Sequence, residues 1–245
     1  MIEIRHEKMG NTASTQEAYN RLYLEEGILL RDSFYLWLIS LLEPQPGYML
    51  LDISCGQGRL VTLSRRKGLT SIGMDFAHEA VKRALAETQR ASWAVADGER
   101  LPLQDASLDY VTHIGSLEHY QDPDSGIQEI ARILKPTGTA CILLPNTYSL
   151  FGNIMHVWKT GHVFDDNQPL QRYNTPKGWN ELLITNGLRT VKTFKYEREW
   201  PRTWTDLRWY LTHPTKLARL LVSWLVPHNL ANCIVYICQR DSSET

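Results

Sequence analysis

Seven short apolar runs, separated by longer amphipathic stretches, set the outline of this chain. The runs are Tyr48 to Ile53, Thr70 to Asp75, Ala91 to Ala96, Asp109 to Ile114, Thr139 to Leu144, Leu188 to Tyr196 and Asn229 to Gln239. Each has strand length and strand composition. Helical periodicity lies between them. It spans Asn11 to Leu42, where Leu22, Leu29, Leu30, Phe34, Leu38, Leu41 and Leu42 recur at helical spacings. Gly27 could break that stretch in two, and Asn11 or Thr12 could cap it. A helix could open at Arg59, and another is expected over Ala77 to Gln89. Asp122 and Pro123 supply a cap and first turn for a helix through Leu134, whose core face reads Ile127, Ile130, Ala131 and Leu134. Thr175-Pro176 opens a further helix that places Trp179, Leu182 and Leu183 on one face and ends near Gly187. Lys135 to Gly138 reads as a turn.

Strands alternating with helices predict an open α/β sheet in one domain over residues 1–245. Within it, 1–46 reads as an N-terminal helical cap and 47–146 as the ligand-binding core. Two late insertions, 147–174 and 197–228, lie on the substrate side. The first insertion is rich in aromatic and polar groups and could hold a short helix, Leu150 to Lys159. The second contains four of the eight tryptophans and an amphipathic segment, Lys216 to Val226. That segment could pack, form a dimer contact or lie on a membrane surface.

Composition narrows the class. With 43% hydrophobic residues, 245 residues can bury a large core. Lys and Arg number 26 against 27 Asp and Glu, so no excess of basic charge argues for a nucleic-acid partner. The cysteines, Cys55, Cys141, Cys233 and Cys238, form no C-x-x-C pair and read as free thiols of a reducing compartment. Glu3, Arg5, His6, Glu7 and Lys8 interrupt any apolar leader, and no run approaches the ~18–20 apolar residues of a spanning helix. A cytoplasmic protein is expected.

The chemistry gathers where the first run ends. Asp52-Ile53-Ser54-Cys55-Gly56-Gln57-Gly58 is a small-residue turn after a strand and before a helix. Glycines there allow positive φ or close approach of a ligand to the backbone, and the next helix would aim its first N–H groups at that ligand. The second and third runs also end in acids, Asp75 and Asp97, the latter followed by Gly98. In open α/β sheets ligands bind at that edge, and an acid about 20 residues after the turn holds ribose hydroxyls. Asp75 could also cap the following helix.

With these residues in view, the chain resembles the class I S-adenosylmethionine-dependent methyltransferases, in the small-molecule, type 11-like branch. The resemblance is carried by Asp52 to Gly58, where D-x-G-x-G-x-G is usual and Ser54 replaces the first glycine. Leu101-Pro102-Leu103 through Asp109, Ser116 to His119 and Arg132 to Gly138 add to it. It implies a Rossmann-like, doubly wound seven-stranded sheet with the last strand antiparallel. It also implies S-adenosylmethionine as cofactor, held by Asp52, Ser54, Cys55, Gly56, Gly58, Asp75, Phe76, Asp97, Gly98, Ser116 and Tyr23. Asp75 would take the ribose and Asp97 the adenine amino group.

Methyl transfer needs chiefly positioning, and an oxygen nucleophile also needs a base. His119, after the fourth run, is the candidate base, or it shapes the pocket. Tyr19, His156, His162, Arg172 and Trp200 are candidates for the acceptor side, with Tyr19 and Tyr23 sharing one helix face as lid or packing. No metal set stands out; His162 with Asp165 and Asp166 resembles one weakly. The expected partner is a small-molecule acceptor, with O-methylation favoured, and a lipid-like acceptor or a homodimer as further readings. The competing functions are a nicotinamide-dependent oxidoreductase, disfavoured because G-x-G-x-x-G is absent (Val61 holds the third position), and a non-catalytic S-adenosylmethionine-binding partner protein.

Overall fold

The structure, a computed structural model, describes residues 1–6, 12–25, 27–88 and 91–241. The expected cap at Asn11 and the end of the expected helix at Gln89 lie outside them. The strands are β1 (Ile2–Arg5), β2 (Met49–Ile53), β3 (Thr70–Asp75), β4 (Ser92–Val95), β5 (Leu108–Ile114), β6 (Leu134–Pro145), β7 (Leu170–Tyr173), β8 (Leu188–Tyr196) and β9 (Cys233–Arg240). The helices are α1 (Thr12–Glu25), α2 (Asp32–Leu41), α3 (Arg59–Arg66), α4 (His78–Glu87), α5 (Pro123–Ile133), α6 (Met155–Thr160), α7 (Pro176–Thr185), α8 (Trp204–Thr212) and α9 (Pro214–Val222).

Seven strands form the main sheet in the order β4-β3-β2-β5-β6-β9-β8. β2 pairs in parallel with β3 and β5, and β6 with β5. β9, the last strand, runs antiparallel to both β6 and β8, as expected. Side chains alternate across each strand. In β2, Leu50 therefore joins Phe34, Leu38, Leu60 and Leu63 on one face. Leu51 and Ile53 join Val111, Ile127, Ile130, Trp179 and Leu183 on the other. Helices α2 and α3 cover the first face, and α5 and α7 the second. Strand order reverses between β2 and β5, so the C-terminal ends of these strands open a crevice there.

Local chemistry sets the helix starts. The Asp122 carboxylate accepts from the amides of Asp124 and Ser125, with Pro123 in the first turn of α5. Thr175 caps α7 through the Gly178 amide, and Thr203 caps α8 through that of Asp206. The Arg59 guanidinium forks onto Asp32, with both bonds at 2.6 Å, and ties α3 to α2.

Three expectations change. Residues 1–46 are not wholly helical, because β1 pairs antiparallel with β7 in a separate two-stranded ribbon. Strand β6 starts at Leu134 rather than after a turn. The ladder pairs Leu108 with Leu134 and next Tyr110 with Thr139, so Asp109 faces a bulge of four residues, 135–138. The Lys135 amine closes this bulge on the Asp109 carboxylate at 2.7 Å. The last strand begins at Cys233 instead of Asn229, because 228–230 form a 3₁₀ turn. Cys55, Cys141 and Cys238 are buried free thiols, and Cys233 is half-buried. Among the described residues no helix is long and apolar enough to cross a membrane.

Candidate functional site

The turn after β2 takes the left-handed conformation three times, at Ser54 (φ 56°), Gly56 (φ 52°) and Gly58 (φ 74°). Its backbone is held from the next strand. The Gly56 amide donates to Asp75 Oδ2 and the Ala77 amide to Asp75 Oδ1, both at 2.8 Å. Asp75 therefore shapes the turn and starts α4 while its remaining lone pairs face a cavity of about 180 Å³. Asp52, Ser54, Cys55, Gly56, Asp75, Phe76, Asp97 and Gly98 line that cavity. Tyr19 and Tyr23 of α1 cover it, and Ser116 and His119 close it from beyond β5.

Gly58 does not line it. A Cβ on Gly58 would lie 2.1 Å from the Trp93 ring and 3.0 Å from the Ala84 Cβ, so this glycine serves packing of the turn against α4 and β4. Gly98 is needed for a comparable reason: a Cβ there would meet the Tyr120 hydroxyl at 1.8 Å.

Burial sets the charges. Asp52 is pushed up to about 7 by burial, opposed by the Thr112 hydroxyl that donates to it at 2.6 Å, with the Asp75 charge adding to the rise. Burial lifts Asp75 to about 6 against the pull of its two backbone amides. Glu118, wholly enclosed, rises to about 8, so it is protonated at neutral pH, and its Oε2 has no partner. His113 beneath it is pushed down to about 3 by burial and stays neutral.

His119 sits on a 3₁₀ turn, Leu117–His119, after β5. Its Nδ1 contacts the Leu170 carbonyl, which can only accept, so Nδ1 carries the proton and Nε2 a lone pair. Asp166 Oδ2 lies 3.9 Å and Glu118 Oε1 4.0 Å from Nε2. Burial lowers the His119 pKa, and Asp166 partly offsets this. The imidazole is thus an oriented neutral base at the cavity wall.

Other candidates fall elsewhere. His156 lines a second cavity and meets the Phe164 ring edge-on. His162 is exposed on a loop, and Trp200 is 55% exposed and lines neither cavity. Arg172, expected on the acceptor side, lines neither cavity. Its buried guanidinium binds Glu3 at 2.8 Å and the carbonyls of Tyr120 and Gln121, so it fastens the β1–β7 ribbon to the site. The weak metal pattern dissolves, since Asp165 pairs with His6 at 3.2 Å while Asp166 turns toward His119. The sequence reading missed Tyr120, whose hydroxyl meets Ser54 Oγ at 3.2 Å and whose ring stands edge-on to His113. It also missed Gln168, which accepts from the Tyr19 hydroxyl at 3.0 Å.

Residues 51–142 match the family model described as a methyltransferase domain. A ubiquinone biosynthesis O-methyltransferase of Paracidovorax citrulli is 38% identical over 103 residues, which are 40% of this chain and 43% of that protein. The protein of the same name from Bartonella bacilliformis is 27% identical over 183 residues, 69% of this chain and 70% of that one. The chain spans less than half the length of several curated relatives it matches. The solved structure of the [4+2]-cyclase SpnF superposes with a TM-score of 0.67 over 95% of this chain and 97% of that one, at 15% identity, a likeness of fold alone.

A doubly wound sheet of this strand order, with its cavity at the switch point beside a small-residue turn, has the architecture of the class I methyltransferases. Over residues 51–142 the chain is similar to the methyltransferase domain family, and curated relatives that match it carry methyltransferase names.

Proposed function

We propose that the chain transfers a methyl group from S-adenosylmethionine to an oxygen of a small-molecule acceptor. The lining of the first cavity carries this reading. Asp52, Asp75, Asp97 and Glu99 contribute carboxyl groups, and among the described lining residues there is no Lys or Arg. Such a cavity suits a ligand with a positive centre and hydroxyl donors, as a sulfonium nucleoside has. A dinucleotide would bring a pyrophosphate to the same acids with no side-chain cation to offset it, which speaks against the oxidoreductase reading.

Asp75 would accept from ribose hydroxyls, with Gly56 bringing the backbone close, and Asp97 and Gly98 would take the adenine end. The cofactor, when bound, supplies a methyl group on positively charged sulfur. The rest falls to the chain's own residues. Tyr19 and Tyr23 exclude water from above. His119 Nε2 takes the proton from the acceptor hydroxyl as that oxygen becomes nucleophilic, while the Leu170 carbonyl holds the ring in the required tautomer. Burial keeps His119 unprotonated in the resting site, and neutral Glu118 adds no charge to oppose it. The insertions 147–174 and 197–228 form the acceptor side in this reading. The names of the O-methyltransferase relatives support oxygen as the acceptor atom.

The test is transfer of a labelled methyl group from S-adenosylmethionine into a metabolite extract, followed by identification of the product. A methyl ether among the products is expected. Persistent inactivity alongside tight cofactor binding would instead favour a non-catalytic cofactor-binding protein.

A further inference from the structure

A second, larger cavity of about 660 Å³ lies at the same edge of the sheet, between the end of β6 and the start of β9. Its charge is opposite to that of the first. His156, Lys159 and Arg219 line it, and among the described lining residues there is no Asp or Glu. Its remaining wall is largely aromatic and amide: Phe151, Phe164, Tyr173, Asn153 and Asn232.

The positive charge there is under-compensated. Buried Glu197 is the acid that pairs with Arg219, its Oε2 3.7 Å from Arg219 Nη2, an ion-pair distance longer than a hydrogen bond. Glu197 Oε1 accepts from the Asn232 amide at 2.6 Å, and Oε2 has no hydrogen-bond partner. This single carboxyl feels both Lys195 and Arg219, while Arg219 also feels the repulsion of Arg198. Lys195 spends its amine on the carbonyls of Ser223, Trp224 and Val226. The Nε atoms of Arg198 and Arg219 are buried without partners. The Arg219 guanidinium lies 5.2 Å over the Phe151 ring, which fixes its plane at the cavity wall. A buried donor with no acceptor is destabilising, more so when charged, and a planar guanidinium fork matches an oxyanion in two bonds.

We propose that this second cavity is a binding subsite for an oxyanion, a phosphate monoester or carboxylate, gripped by Arg219 with Lys159 and His156 at the rim. The aromatic wall of Phe164 and Tyr173 takes the apolar body that carries the anion. Strand β7 joins the two cavities: its Leu170 carbonyl holds His119 at the first, and its Tyr173 lines the second. The occupant is therefore the charged part of the acceptor, a clause that rests on the methyl-transfer reading; the anion site itself does not. The anion could belong to a soluble molecule or to a lipid headgroup, since Trp158 beside Lys159 is 80% exposed and Trp224 71%.

The test is calorimetric titration of the full chain with inorganic phosphate and with phenyl phosphate, in the absence of cofactor. Vesicles of phosphatidylglycerol or of phosphatidylcholine form a second arm. Phenyl phosphate is expected to bind more tightly than phosphate. Arg219→Gln should weaken it at least tenfold, and Arg219→Lys less. Glu197→Gln, which removes the competing carboxyl, should tighten it severalfold, a change that a merely damaged fold would not produce. Capture on phosphatidylglycerol vesicles alone, lost in Arg219→Gln, would assign the same site to a lipid headgroup. Absence of binding in both arms, or binding indifferent to Arg219 and Glu197, would overturn the proposal. S-adenosylhomocysteine titrated separately reports on the first cavity, so failure of one reading is distinguishable from failure of the other.

Discussion

Replacing Glu118 with Gln separates the charge of this residue from its volume. In the folded chain the carboxyl titrates at about 8 because burial disfavours its ionised form, whereas its ordinary value is 4.5. Between those values the folded protein holds one proton more than the unfolded chain. Stability then falls as pH rises, by ~1.4 kcal/mol per pH unit. The contribution is fully present below pH 4.5 and is lost as pH climbs through 8, roughly 3–5 kcal/mol in all. Gln cannot ionise, so Glu118→Gln should have a flatter profile. Urea unfolding at steps from pH 5 to pH 9 reads this directly. The gap between wild type and variant should move by about 4 kcal/mol in favour of the variant over that range. Any hydrogen bond changed by the substitution shifts both ends equally and leaves the slope alone. Parallel profiles would refute the claim that Glu118 is neutral beside His119. An ionised Glu118 would place a second carboxylate beside His119, opposing the burial that keeps the imidazole neutral.

His119→Ala should lower turnover by about a hundredfold or more with S-adenosylhomocysteine affinity nearly unchanged; equal losses would mean that His119 only shapes the cavity. Because burial holds His119 below its ordinary 6.5, wild-type turnover should persist as pH falls through 6.5 and decline only further down. Gly58→Ala combines a positive φ of 74° with a Cβ driven into Trp93. It should destabilise by about 2–5 kcal/mol in denaturant melts, and a loss under about 1 kcal/mol would contradict the packing role. Ser54→Gly relieves left-handed strain of ~1–2 kcal/mol and gives up one hydrogen bond to Tyr120 worth ~1 kcal/mol. Cofactor affinity should hold or tighten, and a tenfold loss in calorimetry would show that the hydroxyl touches the ligand.

Much of the sheet was legible because its central strands are buried on both faces and read as apolar runs between amphipathic stretches. The acids Asp52, Asp75 and Asp97 were legible for a related reason: each is a polar residue at or just beyond the C-terminal end of such a run, where the sheet opens. The β1–β7 ribbon was not. Ile2 to Arg5 alternates over only four residues, and its partner lies more than 160 residues away. Within the ribbon, Arg172 of β7 binds Glu3, its cross-strand partner on β1, a contact that no local pattern announces. The approach of Asp166 to His119 depends likewise on how the first insertion folds back over the 3₁₀ turn. Gly58 misled for a different reason. A glycine in a ligand-binding pattern can be required by a neighbouring side chain, here Trp93, and the spacing alone does not tell the two demands apart. Glu197 and Arg219 stand 22 positions apart, and only the tertiary fold brings them together.

The acid-lined cavity at the ends of β2, β3 and β4, with no Lys or Arg among its described lining residues, is proposed to hold a sulfonium nucleoside. Calorimetric titration of the chain with S-adenosylmethionine, S-adenosylhomocysteine and NAD tests it most directly. The account predicts saturable binding of both adenosyl ligands, weakened in Asp75→Asn, and no heat from NAD. Binding of NAD with no response to either adenosyl ligand would contradict it.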